Sequence, residues 1–149
     1  MFNTRLARFD DIKNIFELSN DKDVRKNSLN KEYIKWENHV IWFKDRLLNP
    51  LPFYIIEDNR QNFIAQVRFE KENGNVFISL SILKSCRGKG LGTKIIKECT
   101  KKSNFKKVYA LIKSSNIQSQ KAFIKAGYIK DDIKIINNET YNTFVYKSK

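Results

Sequence analysis

A short glycine-rich run is the part of this sequence whose residue types and spacing could do chemistry. It follows an apolar strand pattern that ends near Leu83 and precedes an amphipathic helix pattern over residues 91–103. Glycines let successive backbone N–H groups converge on a phosphate, and a helix N-terminus adds unpaired donors and a favourable dipole. Arg87, Lys89 and Lys94 add positive charge. The run therefore predicts a phosphate site, made of Arg87, Gly88, Lys89, Gly90, Leu91, Gly92 and Thr93.

The charge of the chain is concentrated around this run. Residues 84–134 carry 14 basic and 3 acidic side chains, whereas residues 1–83 carry 13 basic and 12 acidic ones. A biased composition, with 22 Lys, 16 Asn and 18 Ile, is an alternative explanation, but it would raise lysine along the whole chain. The asymmetry indicates that a polyanion binds residues 84–134. It leaves open whether that polyanion is a nucleic acid or a phosphorylated small molecule.

Length and composition narrow the class of protein. A chain of 149 residues fits one domain, 1–149, and its 41% hydrophobic content can build a core. Its longest apolar run is five residues, and residues 1–5 lack the apolar stretch of a signal peptide, so we expect a cytoplasmic protein without a membrane span. Two cysteines and one histidine are too few for a usual zinc site or a disulfide scaffold, so no metal is predicted.

The elements that must position the run follow from periodicity and turn signals. The predicted order is β-α-α-β-β-β-α-β-α-β-β, an α/β fold with a mixed sheet and helices on both faces. The predicted strands cover residues 5–9, 53–57, 63–70, 76–83, 108–112, 128–136 and 140–146. The predicted helices are a short one capped by Asp10, one from Asn30 to about Leu48, one over 91–103 and one over 116–126 that ends at Gly127.

The hairpin between the third and fourth strands allows a sharper prediction. Asn73-Gly74 favours a two-residue type I′ turn, because both central positions need φ > 0. That turn pairs Glu72 with Asn75 and fixes the register. A polar cluster on a sheet that helices can cover on both faces predicts a site, although an exposed sheet face is the alternative. Alternation places on one face Gln66, Arg68, Glu70, Phe77, Ser79 and Ser81.

The glycine-rich run resembles the Gln/Arg-x-x-Gly-x-Gly/Ala loop of the GCN5-related N-acetyltransferases (GNAT). It is not a Walker loop, because no Gly-Lys-Ser/Thr follows four spacer residues, and it is not a dinucleotide fingerprint, because the preceding strand belongs to a hairpin. A second element of the family, the Asn-x-x-Ala/Ser-x-x-x-Tyr/Phe-x-x-x-Gly-Phe/Tyr helix, matches Asn116, Ser119, Phe123, Gly127 and Tyr128. The element order is also the family's own, so the resemblance covers nearly the whole chain.

The resemblance implies a GNAT-type, mostly antiparallel sheet of six to seven strands flanked by about four helices. It also implies acetyl-CoA as co-substrate. Backbone groups of Ile82, Leu83 and Lys84 would hold the pantetheine and acetyl carbonyl, and amides of residues 88–93 would hold the pyrophosphate. Asn116 would reach the pantetheine arm, with Ser119 and Phe123 beside it.

The resemblance further implies direct acetyl transfer to a primary amine, which must first lose a proton. Many members carry a tyrosine general acid where this chain has Phe123, so that role is vacant or filled by another group. The candidate bases are Glu70, then His39, then Glu57. The alternatives are a solvated carboxylate for Glu70 and a packing histidine for His39.

The acceptor region is similar to that of amino-sugar N-acetyltransferases of pseudaminic-acid-type surface-glycan pathways. The similarity lies in residues 20–28, 36–43, 66–69 and 78–82, and an anionic nucleotide-sugar would suit the basic surface. The predicted substrate contacts are Asn27, Trp42, Arg68, Ser79 and Ser81; the alternative for the aromatic residues of this region is core packing.

Other functions and assemblies stay open at this point. A protein N-terminus, such as that of a ribosomal protein, or another small amine is the alternative acceptor. A nucleic-acid-binding module is the alternative from another class, but the sequence contains no recognisable nucleic-acid motif. An edge strand or the final hairpin could pair two subunits as a homodimer, although nothing in the sequence selects that.

Overall fold

The fold consists of seven strands and five α-helices in a computed structural model that describes residues 1–149. The strands are β1 (Phe2–Leu6), β2 (Phe53–Asp58), β3 (Phe63–Glu72), β4 (Asn75–Ile82), β5 (Lys107–Lys113), β6 (Ile129–Ile136) and β7 (Glu139–Lys147). The helices are α1 (Ile12–Ser19), α2 (Lys22–Lys26), α3 (Trp36–Leu47), α4 (Leu91–Ser103) and α5 (Ile117–Lys125).

All seven strands lie in one sheet, in the order β1-β2-β3-β4-β5-β7-β6. Every neighbouring pair is antiparallel except β4 and β5, which are parallel. The predicted α/β class and the mixed, mostly antiparallel sheet are therefore confirmed. None of the helices is long and apolar enough to span a lipid bilayer.

Two apolar cores hold helices on opposite faces of the sheet. In the larger core, the strands β2, β3, β4, β5 and β7 pack against α4 and α5. Its fully buried residues include Ile95, Ile96 and Cys99. The smaller core joins the other face of β2 to α1 and α3 through Ile15, Phe43, Phe53 and Ile55. Since strand residues alternate between faces, this arrangement leaves the polar side of β3 and β4 on the α1–α3 face.

The β3–β4 hairpin has the predicted turn and register. Asn73 and Gly74 have φ values of 51° and 82°, as a type I′ turn requires. The pairs Gln66–Ser81, Arg68–Ser79 and Glu70–Phe77 are all present. The local turn chemistry therefore determines which side chains share the polar face.

The N-terminal third differs from the prediction. The first strand covers Phe2–Leu6 rather than residues 5–9, since Asp11 accepts the Arg8 amide at 2.8 Å and turns the chain into a 3₁₀ helix at Phe9–Asp11. The long helix starts at Trp36 and not after Asn30. Asn30 instead accepts the amide of Glu32 at 3.0 Å, which makes a local turn.

An additional short helix, α2, lies between α1 and α3. Asp21 caps it by accepting the amides of Asp23 and Val24 at 3.0 and 3.1 Å. After α2 the chain stays extended near Ile34, whose backbone N–H and C=O both bond to the Asn20 side chain at 2.8 and 3.0 Å. These bonds account for the late start of α3.

Candidate active site

A cleft opens where the parallel strands β4 and β5 diverge. The register joins them at a single pair, Phe77 and Tyr109, whereas β5 pairs with β7 along its whole length. The cleft has a volume of about 1410 Å³ and is lined by residues of both strands, of α5 and of the glycine-rich run. The divergence at the end of β4 therefore creates an open space next to that run.

The glycine-rich run forms a bare cradle at the N-terminus of α4. Gly88 and Gly90 both have φ = 75°, and a Cβ at either position would meet no atom within 4 Å. Gly90 is the N-cap of α4, and no side chain caps this helix. The first-turn amides consequently lack side-chain acceptors. Such a cradle can bind an anion through backbone N–H groups, at the positive end of the helix dipole.

The backbone just before the glycine-rich run already makes a hydrogen bond within the sheet. Ile82 lines the cleft, but the Leu83 amide donates to the carbonyl of Ile64 at 2.8 Å, so this N–H is occupied. Lys84 begins a short 3₁₀ helix, Lys84–Cys86. Leu83, Lys84 and Lys89 do not line the cleft, whereas Gly88, Gly90, Leu91, Gly92 and Thr93 do.

The Arg87 side chain is already engaged by protein groups. Its Nε donates to the Ile82 carbonyl at 2.8 Å, and its two Nη atoms donate to Asp23 at 2.9 Å and to Asp21 at 3.0 Å. Two carboxylates therefore neutralise the charge that the sequence assigned to the phosphate site. The Arg87 side chain thus fixes the end of β4 and the start of α2, and its contact with a phosphate stays a prediction.

The second motif forms the opposite wall. Asn116 caps α5 by accepting the amide of Ser119 at 3.3 Å, so its Oδ1 is occupied. Phe123 is 3% exposed and packs edge-on against Tyr128, with ring centroids 5.1 Å apart. The three motif residues Asn116, Ser119 and Phe123 all line the cleft.

The polar face of the β3–β4 hairpin forms another part of the lining. Arg68 stacks its guanidinium 4.8 Å from the Trp42 ring centroid, and its Nε lies 3.3 Å from a carboxylate oxygen of Glu70. The structure thus brings together the predicted acceptor residues and the first candidate base. All of them line the cleft: Asn27, Trp42, Arg68, Glu70, Ser79 and Ser81.

His39 also touches the cleft but is held as a packing residue. It is 1% exposed, its ring stacks on Phe43, and its Nε2 lies 2.8 Å from the carbonyl of Ile12. Burial lowers the pKa of His39; the Ile12 carbonyl opposes this shift and the charge of Arg68 adds to it. Because Nε2 must carry the proton to donate to that carbonyl, only Nδ1 is available as a base.

The third candidate base lies elsewhere. Glu57 accepts from Arg5 at 3.1 Å, and Arg5 also pairs with Asp11 at 2.7 Å. This network is not part of the cleft. Glu57 is therefore removed from the candidates, and Glu70 remains as the carboxylate on the polar face of the hairpin.

The cleft is electropositive. Its acidic lining residues are Asp23, Glu70 and Glu72, and Asp23 is paired with Arg87. Sequence reasoning did not single out the lysines of α5 in this wall, although the excess of charge over residues 84–134 was their signal. The basic lining residues are Arg25, Lys26, Arg68, Lys71, Arg87, Lys113, Lys121, Lys125 and Lys134.

Ion pairs that the sequence did not predict connect the loop between α2 and α3, residues 27–35 (the acceptor loop), to the sheet. Glu139 on β7 pairs with both Lys31, in the loop before α3, and Lys113, at the end of β5. Arg25 donates to the carbonyl of Asn30 in the same loop and to that of Ser19 at the end of α1, at 2.7 Å each. No local pattern could have indicated the Glu139 pairs, because the partners are distant in sequence.

Comparison with known proteins adds a family and a fold. The family model of the acetyltransferase (GNAT) domain matches residues 3–129. A Bacillus subtilis (strain 168) relative, "Putative phosphinothricin acetyltransferase YwnH", is 27% identical over 134 residues, which cover 83% of this chain and 82% of the relative.

Solved structures agree with the fold. Spermidine N-acetyltransferase from Vibrio cholerae, in complex with CoA and spermine, superimposes with a TM-score of 0.88 at 16% identity, covering 98% of this chain and 95% of that one. The enzyme AAC(6')-Ib, in complex with ribostamycin and coenzyme A, has a TM-score of 0.82 at 17% identity, covering 98% and 93%. At these identities the likeness establishes the architecture.

Proposed function

The chain belongs to the acetyltransferase (GNAT) domain family and is an N-acetyltransferase, and from that premise we propose that it transfers acetyl from acetyl-CoA to the primary amine of a nucleotide-linked amino sugar. We further propose that residues 1–149 form one such domain. The observation that carries this proposal is the uncapped, glycine-rich N-terminus of α4 at the mouth of the β4–β5 divergence.

The residues present fit the phosphates of acetyl-CoA. Both left-handed glycines leave open space where a Cβ would stand, so backbone amides can approach a pyrophosphate closely. The amides of residues 88–93 are the proposed donors, and Lys89 and Lys94 supply charge. Backbone groups at the end of β4, around Ile82, and the Nδ2 of Asn116 would hold the pantetheine arm; the Ile82 carbonyl accepts from Arg87 Nε and has a second lone pair for the ligand. Bound acetyl-CoA supplies the activated thioester carbonyl.

The chain must then take a proton from the amine. Glu70 is the proposed base, because it faces the cleft and half of its side chain is exposed, which allows proton exchange with solvent through water. His39 has its Nε2 engaged with Ile12 and is the weaker candidate. Phe123 has no proton to give, so the departing thiolate would be protonated from solvent.

The charge of the cleft favours an anionic acceptor. Nine basic and three acidic residues line it, which suits a phosphate-bearing amine and opposes a polycation such as spermidine. The Arg68 guanidinium, stacked on the half-buried Trp42 ring, offers a planar cationic surface to a sugar or base ring. Asn27, Arg68, Ser79 and Ser81 are the proposed polar contacts.

A panel of amines tests the acceptor class. The protein is incubated with acetyl-CoA and a UDP-linked 4-amino sugar, phosphinothricin, spermidine or a peptide with a free N-terminus, and acetylated products are measured by mass. The proposal expects the UDP-linked amine to have the highest kcat/KM. Spermidine or the peptide as the preferred acceptor would overturn the nucleotide-sugar assignment. An absence of product with every amine, despite acetyl-CoA binding, would count against transfer to these amine classes.

A further inference from the structure

Gln66 is a buried polar side chain with an unused acceptor. It lies on β3, lines the cleft and is 3% exposed. Its Nε2 is 3.4 Å from the hydroxyl oxygen of Ser81 on β4, but its Oε1 makes no hydrogen bond to any protein group although the atom is buried. The sequence placed Gln66 on the polar face but gave it no role.

An unpaired buried acceptor is unfavourable, and folded proteins contain few of them. An apolar side chain of similar size at position 66 would avoid the free-energy cost of the unpaired acceptor. Apolar side chains are accommodated elsewhere in this sheet, since Ile55 and Val67 are fully buried. Gln66 lines the cleft, so its side-chain amide lies beside any ligand bound there, and a small shift of that amide would bring the unpaired Oε1 to the ligand. Such a ligand must present an N–H or O–H donor, since an amide oxygen only accepts.

A second unpaired polar atom lies on the same face. The Nε of Arg68 is buried and makes no hydrogen bond of acceptable geometry, although a Glu70 carboxylate oxygen is 3.3 Å away. Arg68 follows Gln66 by two residues on one strand, so the two side chains leave the backbone about 7 Å apart. The face therefore offers one acceptor and one cationic donor to a single small ligand.

We propose that Gln66 Oε1 accepts an N–H of the reacting amine, while the Arg68 guanidinium donates to an oxygen carried by the same molecule. The inference rests on the proposed function and narrows its substrate class to amines that bear a hydroxyl, carboxylate or phosphate oxygen near the nitrogen. Plain alkyl polyamines lack that oxygen. Gln66 is then a residue that orients the nucleophile, and Ser81 holds its amide from the other side.

The orientation has a chemical consequence. In the transfer the amine nitrogen forms a bond to the thioester carbonyl carbon, the C–S bond breaks, and the sulfur leaves as a thiolate. The proton that the amine loses passes to water or to a base, and the thiolate takes one up. Gln66 takes no proton; by accepting one N–H it leaves the nitrogen lone pair free to face the thioester.

The test measures the affinity of the protein for the amine and for acetyl-CoA in separate titrations. Calorimetry follows binding of a UDP-linked 4-amino sugar to the CoA-saturated protein, and binding of acetyl-CoA alone, in the wild type, Gln66→Leu and Gln66→Glu. Gln66→Leu should weaken amine binding about tenfold or more, with acetyl-CoA affinity unchanged and Tm equal or higher. Gln66→Glu keeps an acceptor and should retain the amine affinity.

A matched glutamine distinguishes binding from structural support. Gln120 has its amide fully bonded, donating to Ser114 O at 2.8 Å and accepting from Asn142 at 2.9 Å, so Gln120→Leu should lower Tm where Gln66→Leu does not. Unchanged amine affinity in Gln66→Leu, equal losses for both ligands, or no recovery in Gln66→Glu would overturn the inference. A wild type that fails to bind acetyl-CoA would instead refute the proposed function. If phosphinothricin is the acceptor, the same series is measured with phosphinothricin.

Discussion

Arg87 and Asp21 join the glycine-rich loop to the first turn of α2, with Nη2 3.0 Å from Oδ1. Asp21 is also the N-cap of α2, and Arg87 also holds the last carbonyl of β4, that of Ile82. One ion pair therefore connects the proposed phosphate site to the acceptor side of the cleft. We therefore expect a substitution of Arg87 or Asp21 to affect both the proposed phosphate site and the acceptor side of the cleft.

A double-mutant cycle tests this connection. Asp21→Asn removes the charge but keeps a good N-cap, and Arg87→Gln removes the guanidinium. Both side chains are about a quarter exposed, so we expect a coupling free energy of about 0.5–1 kcal/mol in urea unfolding. If the effects of the two substitutions on the free energy of unfolding are additive, Arg87 and Asp21 are not energetically coupled and the proposed connection is wrong.

Phe123 is expected to matter for packing rather than for proton transfer. Phe123→Ala removes a ring that is 3% exposed and should cost about 3–5 kcal/mol of stability, or roughly 10 °C in Tm. The turnover of the folded fraction, measured well below Tm, should stay near the wild-type value. Phe123→Leu, which keeps most of the volume, is the control. A large loss of turnover at an unchanged Tm would give Phe123 a chemical role.

His39 should make stability depend on pH. Burial holds its folded pKa below the ordinary value of 6.5, so the unfolded chain takes up the proton first as the pH falls. The contribution of His39 to the free energy of unfolding should therefore be fully present above about pH 6.5. Below that pH it should decrease by at most about 1.4 kcal/mol per pH unit, until the folded pKa is reached. His39→Gln keeps a donor for Ile12 but does not titrate. The wild-type slope minus the His39→Gln slope between pH 7 and 5.5 isolates the effect, and equal slopes would refute it.

Local signals explain which parts of the fold and site were predictable. Asn73-Gly74 determines the β3–β4 register through its own φ preferences, and Gly127, at φ = 100°, ends α5 where the sequence indicates. The glycine-rich run is equally local, because the phosphate site proposed there consists of backbone that contiguous residues supply. The polar face and the cradle therefore followed from residues close together in the chain.

Long-range contacts explain the errors. Arg87 meets carboxylates 64 and 66 residues away, so its type predicted positive charge but not the partners that neutralise it. The late start of α3 depends on Asn20 bonding Ile34, and the position of the acceptor loop depends on Glu139 bonding Lys31. None of these pairs leaves a periodic or turn-forming pattern. The unpaired oxygen of Gln66 is likewise visible only when its surroundings are known.

The two cysteines should respond differently to a thiol reagent. Cys99 is fully buried, and burial raises the pKa of its thiol to about 12, whereas Cys86 is partly exposed and lines the cleft. Native protein should therefore be alkylated at Cys86 alone, as the thiolate is the reactive form. Saturating acetyl-CoA should slow this labelling about tenfold or more, and Cys86→Ser is the control. Labelling that acetyl-CoA does not slow would place the ligand away from the end of β4.

Calorimetric titration of Gly90→Asp and Gly90→Asn with acetyl-CoA tests whether the bare N-terminus of α4 binds the phosphates of this ligand. Both side chains tolerate φ = 75° better than most, and open space surrounds the position, so the variants differ in charge alone. We predict measurable binding by the wild type, partial loss in Gly90→Asn and no detectable binding in a folded Gly90→Asp. Equal affinities in the two variants, or a wild type that binds pantetheine as tightly as acetyl-CoA, would contradict this prediction.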